Sequence, residues 1–195
     1  MLKIAITGNI ASGKSTVEKI LEEKGFKVFD ADFVTHEILK RNDIKPLIIK
    51  EFKNYNILEN DEISRQKLGN IVFNDEKLRK QLESIIHPKI KDELIIFFKK
   101  AEEEGEKIVF VSAALLFEAG LGDLFDKIIL IQANDEIRIE RLMKRNYLPF
   151  EYAENRIKIQ VNQDLKASWV DYVIHNNKSI KDLRKNLEKT LKLLF

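Results

Sequence analysis

Near the start of the chain, Gly8-Asn9-Ile10-Ala11-Ser12-Gly13-Lys14-Ser15 fills the pattern G-x-x-x-x-G-K-[ST]. The glycines allow a tight turn whose backbone N–H groups converge on phosphate oxygens, and a helix beginning there presents its positive dipole end to the same anion. Lys14 would bridge the outer phosphates, and the Ser15 hydroxyl would reach a magnesium ion that keeps most of its water. The bland alternative is a glycine- and serine-rich turn. Taken alone, the loop names a nucleotide and no reaction.

A second group with chemical potential is Asp30-Ala31-Asp32. Two carboxylates spaced two apart face the same side of an extended chain. Such a pair suits one carboxylate to a metal or to positioning a lysine, and the other to taking the proton of a nucleophilic hydroxyl. The spacing leaves open which carboxylate takes which part; the competing reading makes Asp32 a helix cap. His36 follows four residues after Asp32 and could share its helix face. His87 stands before Pro88 in a helical pattern, where a proline predicts a kink or a boundary.

The third group is cationic. Asp135 opens a helix carrying Arg138, Arg141 and Arg145 along one stripe. Phosphoryl transfer needs positive charge around the moving group, so Arg141 and Arg145 are read as part of a lid, with Arg156 and Lys158 following. Surface pairing with Glu136 or Glu140 is the alternative.

The elements that must hold these residues can be traced in order. Leu2 to Thr7 is an apolar strand, and Thr16 to Leu21 has helical spacing. Phe26 to Phe29 reads as a second strand ending in the aspartate pair, so the pair should arrive on the strand edge where open α/β sheets collect ligands. From Phe33 to about Glu104 the pattern is helical, with turns at Asn54–Asn56 and Glu59–Asp61. Such a stretch is too long for a crossover and predicts an inserted helical subdomain. Strands follow at Lys107 to Ser112 and Lys127 to Gln132, and a last one at Trp169 to Ile174. A closing helix carries leucines 183, 187, 191 and 194 as an apolar stripe. The strand ending in Ser112 lacks the aspartate that often supports the metal's water at that place.

The predicted fold is therefore α/β: a P-loop NTPase three-layer fold with a mostly parallel central sheet of about five strands, a helical substrate-binding insertion and a helical lid. The predicted division is a nucleotide-binding core of 1–32, 105–145 and 169–195, an acceptor-side insertion of 33–104, and a lid of 146–168.

Composition narrows the classes. The 195 residues are 44% hydrophobic, enough for a full core. Thirty-four basic residues face 32 acidic ones, a formal net charge of +2, so no nucleic-acid partner is expected. There is no cysteine, which excludes disulfides and fits a reducing compartment. No apolar run approaches the roughly 20 residues of a membrane helix. A cytoplasmic protein, free of membranes and most simply a monomer, is expected.

Taken together, these separated motifs resemble the dephospho-coenzyme A kinase family over essentially the whole length. The resemblance rests on Gly8 to Thr16, Asp30-Ala31-Asp32 with His36-Glu37, Arg65 to Gly69 with Val72-Phe73, and Ile85-Ile86-His87-Pro88. It continues through Leu115-Leu116-Phe117-Glu118, Arg141 to Arg145, Gln160, and Asp171 to Ile174 with Asn176. It implies transfer of the γ-phosphoryl of ATP to the ribose 3′-hydroxyl of dephospho-CoA, with Mg2+, at the last step of coenzyme A synthesis. It also implies catalytic roles for Asp32, Lys14 and Arg141. Nucleotide contacts would fall on Gly8, Asn9, Ile10, Ala11, Ser12, Gly13, Lys14, Ser15, Thr16 and Arg145, with the metal on Ser15 and Asp30. The acceptor would meet Asp32, His36, Arg65, His87, Leu116 and Glu118. The chain departs from the family at Asn9-Ile10-Ala11, where small glycines are usual, at Ala114, where a proline is, and at Val170, where an alanine is. Another small-molecule or nucleoside monophosphate kinase, or a nucleotide-dependent switch without an acceptor, would share the loop.

Overall fold

The computed structural model describes residues 1–158 and 160–194. The elements are β1 (Leu2–Thr7), α1 (Lys14–Glu23), β2 (Lys27–Asp30), α2 (Ala31–Lys40), α3 (Lys45–Glu51), β3 (Leu58–Glu59), β4 (Glu62–Ile63), α4 (Arg65–Asn74) and α5 (Glu76–Glu103). They continue as β5 (Ile108–Ser112), a 3₁₀ turn at Gly122–Leu124, β6 (Lys127–Gln132), α6 (Asp135–Asn146), α7 (Phe150–Lys158), α8 (Gln163–Ala167), β7 (Tyr172–His175) and α9 (Ile180–Leu194). The chain divides into two compact units, one holding Met1–Phe29 and everything from Ala101 on, the other Asp30–Lys100. The second unit begins three residues before, and ends four before, the bounds read from periodicity for an insertion; the described residues of 146–168 belong to the first unit.

The first unit is built on a five-stranded sheet of order β2-β5-β1-β6-β7. β1 runs parallel to both β5 and β6, and β6 parallel to β7. Strands buried on both faces read as continuous apolar runs, which is why Ile4, Ile6, Phe110, Ile129 and Ile131 are fully buried. α1 contributes Val17, Ile20 and Leu21, and α9 contributes Leu183, Leu187 and Leu191 to the same core, as the leucine stripe predicts. The phosphate-loop sequence leaves the end of β1, between the ends of β5 at Ser112 and β6 at Gln132. The final strand starts at Tyr172, three residues later than read from sequence. Trp169 lies outside it and packs edge-on against Phe117, with ring centroids 5.2 Å apart.

The second unit is mainly helical, with Ile38, Ile48, Phe52, Leu68, Ile86 and Leu94 among its buried residues. Two sequence readings need correction here. The region holds a small antiparallel hairpin, β3 with β4, whose turn residues Asn60 and Asp61 have φ of 49° and 61°. Two-residue strands are too short to leave an alternating pattern; only the turn was legible. α5 also runs unbroken through Pro88, so His87-Pro88 is not a helix boundary. Packing of Ile86, Ile90 and Leu94 along one face outweighs the local penalty of the proline.

Candidate active site

Gly13 caps α1 with φ of 104°, a left-handed conformation natural only to glycine, and no side chain caps the helix. The first N–H groups of α1 therefore remain available to an anion. A Cβ at Gly13 would overlap the carboxamide nitrogen of Asn176, which donates to the Ser12 carbonyl at 2.7 Å. A Cβ at Gly8 would press on Ser12 Oγ and the Ile131 carbonyl. Ser12 Oγ is buried and has no hydrogen-bond partner among the described residues. A buried hydroxyl without a partner, beside the uncapped start of α1, fits a site for a phosphate oxygen.

The loop is strapped from several sides. Gln160 Oε1 accepts from the Ile10 N–H at 2.8 Å, and Asn9 Nδ2 donates to the Val161 carbonyl at 2.8 Å. Arg138 is buried and donates to the Ile10 carbonyl at 3.0 Å, to Gln160 Oε1 at 3.1 Å and to Asp135 at 2.7 Å. Arg141 donates to the Asn176 carbonyl at 2.9 Å and to the Ala11 and Ser12 carbonyls at 3.4 Å. Burial lowers the affinity of both guanidiniums for their protons, opposed by Asp135 at Arg138 and by Glu140 at Arg141. Arg145 is exposed and bonds Asn146. Seven residues beyond Arg138 on the helix, it starts about 10 Å farther from the strand edge.

Lys14 is buried, with its ammonium donating to Ser112 Oγ at 2.7 Å and to Glu18 Oε1 at 3.0 Å. The Ser112 hydroxyl in turn donates to Glu18 Oε1. Ser15 is exposed, so its hydroxyl is accessible to an ion. Among the described residues no three His, Cys, Asp or Glu side chains converge as a metal cluster. A magnesium ion, which prefers few protein ligands plus phosphate oxygens and water, fits this sparse donor set with Ser15 as its hydroxyl ligand.

In the second unit, Asp30 is the helix cap: its Oδ1 accepts from Asp32 N–H at 2.9 Å and Phe33 N–H at 3.0 Å. Asp32 therefore lies in the first turn of α2 and is not its cap. His36 has its titration moved down by burial, by Arg65 and, less, by Lys40, with Asp32 and Asp30 opposing, so these five groups form one electrostatic cluster. Arg65 is exposed at the start of α4, and His87 is half-buried on α5.

The Leu115-Leu116-Phe117-Glu118 stretch follows β5. Leu116 is fully buried, so the acceptor contact read for it falls on a packing residue; Leu115 is the exposed leucine. Glu118 accepts from Lys166 at 2.9 Å, and Lys166 is itself buried. A polar cleft of about 450 Å³ is bordered by Asn9, Asn134, Asp135, Arg138, Gln160 and Gln163, among others. Among the described residues given a role from sequence, Asn9 of the phosphate loop lines it, as does Lys158 of the basic segment read as following the lid arginines.

The profile of the dephospho-CoA kinase family matches residues 2–182. The chain belongs to this family. It is 38% identical over 187 residues to the dephospho-CoA kinase of Fusobacterium nucleatum, covering 95% of each chain. Its fold is similar to the crystal structure of TT1252 from Thermus thermophilus, with a TM-score of 0.84 at 30% identity, covering 100% of this chain and 98% of that one. It is also similar to the dephospho-CoA kinase of Campylobacter jejuni, with a TM-score of 0.71 at 33% identity, covering 98% and 96%.

Membership makes the chain a kinase, a phosphotransferase on a P-loop fold. Within that frame, sequence reasoning missed Glu18, Lys166 and the buried state of Arg138. Glu18 had one available signal, its i,i+4 spacing from Lys14 on the loop helix. Arg138 had another, its position one turn from the strand edge. Lys166 had none, because its partner Glu118 is remote in sequence.

Proposed function

We propose that the chain transfers the γ-phosphoryl group of ATP to the ribose 3′-hydroxyl of dephospho-CoA, yielding coenzyme A and ADP. The observation that carries the donor half is the unpartnered Ser12 hydroxyl inside an uncapped glycine loop, with the Lys14 ammonium on the next residue but one. Family membership supports the acceptor.

Lys14 and Arg141 supply positive charge to the phosphates, and the uncapped backbone N–H groups at the start of α1 orient them. Magnesium, held by Ser15 and phosphate oxygens, would neutralise charge on the triphosphate. Asp32 accepts the proton of the 3′-hydroxyl as its oxygen bonds to the γ-phosphorus and the bond to the ADP oxygen breaks. Asp30 serves by capping α2 and so fixing the backbone that carries Asp32. His36, Arg65 and His87 serve the acceptor, Glu118 contributes a carboxylate to its binding, and Arg145 acts as a cation of the lid. Most of the acceleration comes from positioning and charge neutralisation. The balanced charge and the lack of cysteine support a cytoplasmic protein acting on a small molecule, and among the described residues no helix is long and apolar enough to cross a membrane.

The test is ADP release coupled to a spectrophotometric readout. Dephospho-CoA should stimulate release strongly. Turnover of a nucleoside monophosphate with no response to dephospho-CoA would reassign the acceptor.

A further inference from the structure

Lys14, Glu18 and Ser112 form a buried knot where β5 ends. The Lys14 and Glu18 side chains are 10% and 11% exposed, and Ser112 is fully buried. Ser112 pairs in register with Ile6, so it lies beside the strand that enters the phosphate loop. In loops of this kind the strand end next to the loop strand normally carries the aspartate that supports the magnesium ion. Here that place holds a hydroxyl, and the hydroxyl is bonded to a carboxylate delivered from α1, one turn past Lys14.

Stability does not account for this arrangement. Exposed i,i+4 pairs contribute a few tenths of a kcal/mol, and buried ion pairs commonly return no more than their desolvation costs. Glu18 sits on the helix that buries Val17, Ile20 and Leu21, a position where an apolar residue would pack without that cost. Both hydrogen bonds to its side chain end on Oε1; among the described residues Oε2 takes none.

We infer that Glu18, seated on Ser112, is the carboxylate of the donor site, a positioning residue that supports the hydrated magnesium of the bound nucleotide in place of a strand-end aspartate. This rests on the phosphoryl-transfer reading above. The Ser112 hydroxyl fixes the rotamer of Glu18, and Lys14 shares the carboxylate until phosphate oxygens take up its other donors.

The test measures ADP binding by titration calorimetry with and without Mg2+, for the wild type, Glu18→Gln, and the double variant Glu18→Ala with Ser112→Asp. Glu18→Gln should weaken Mg2+ affinity in the ADP complex by about tenfold or more, the usual effect of losing an outer-shell partner. Its metal-free ADP affinity should hold or improve, because Lys14 loses a competing partner. The double variant, which returns a carboxylate to the strand end, should restore the Mg2+ dependence. It also carries the test alone if Glu18→Gln does not fold. Wild-type Mg2+ dependence in Glu18→Gln, or none in a folded double variant, would overturn the inference and leave Glu18 as a counter-ion of Lys14. Failure of wild-type turnover with dephospho-CoA, alongside the expected Mg2+ linkage, would instead overturn the acceptor.

Discussion

Lys166 and Glu118 form an ion pair of 2.9 Å in which the lysine side chain is 1% exposed and the glutamate 26%. The pair ties α8 to the stretch after β5, and Phe117 against Trp169 ties the same two segments a second time. The two partners are not equivalent. Removing the glutamate leaves a buried ammonium without its counter-charge, whereas removing the lysine leaves a carboxylate that can turn to water. Glu118→Ala should therefore destabilise by roughly 2–3 kcal/mol, somewhat under the range for fully buried pairs, and Lys166→Met should be close to neutral. Urea denaturation midpoints measure both; equal losses would contradict the asymmetry.

Ala11 sits in the phosphate loop with φ of 61°, a conformation that is strained for a residue with a Cβ. Glycine there relieves about 1–2 kcal/mol of strain but adds up to about 1 kcal/mol of unfolded-state entropy. Ala11→Gly should therefore be neutral or stabilising in thermal melts and should leave nucleotide affinity intact. Gly13→Ala should do the opposite, because Asn176 fills the space its Cβ needs. A clear loss of stability in Ala11→Gly would show that the strain is relieved elsewhere.

Asp32 is held in the first turn of α2 by the Asp30 cap. If Asp32 takes the proton of the acceptor hydroxyl, Asp32→Asn should lower kcat by at least about 10²-fold with little change in the KM for ATP. Steady-state kinetics with both substrates varied gives the split. A near-normal kcat would reduce Asp32 to a first-turn carboxylate favoured by the helix dipole.

His36 has a folded pKa below its ordinary 6.5, chiefly through burial and then through Arg65. The unfolded chain therefore binds a proton at a pH where the folded one does not. Its contribution is fully present above pH 6.5 and is lost as pH falls from there through the folded pKa. His36→Gln should flatten the fall in unfolding free energy over that window relative to wild type. Denaturation curves between about pH 7.5 and pH 5 test it; parallel profiles would assign the acid sensitivity elsewhere.

Backbone pattern was what the sequence could settle by itself. The run from Leu2 to Leu21 specifies strand, loop and helix because each feature, a continuous apolar run, an obligatory glycine and helical spacing, is local. The same holds for the leucine stripe of α9 and for the turn at Asn60-Asp61. Family motifs added the reaction. Tertiary structure decided which side chains meet. Arg138 reaches Ile10 across 128 residues, Gln160 across 150, Ser112 reaches Glu18 across 94, and Lys166 reaches Glu118 across 48. It also decided that Asp30 caps and Asp32 does not, and that α5 passes through Pro88. Such outcomes depend on long-range burial and on which donor is near which acceptor after packing. Neither is encoded in spacing along the chain, because the same residue types on an exposed face would make only weak local pairs.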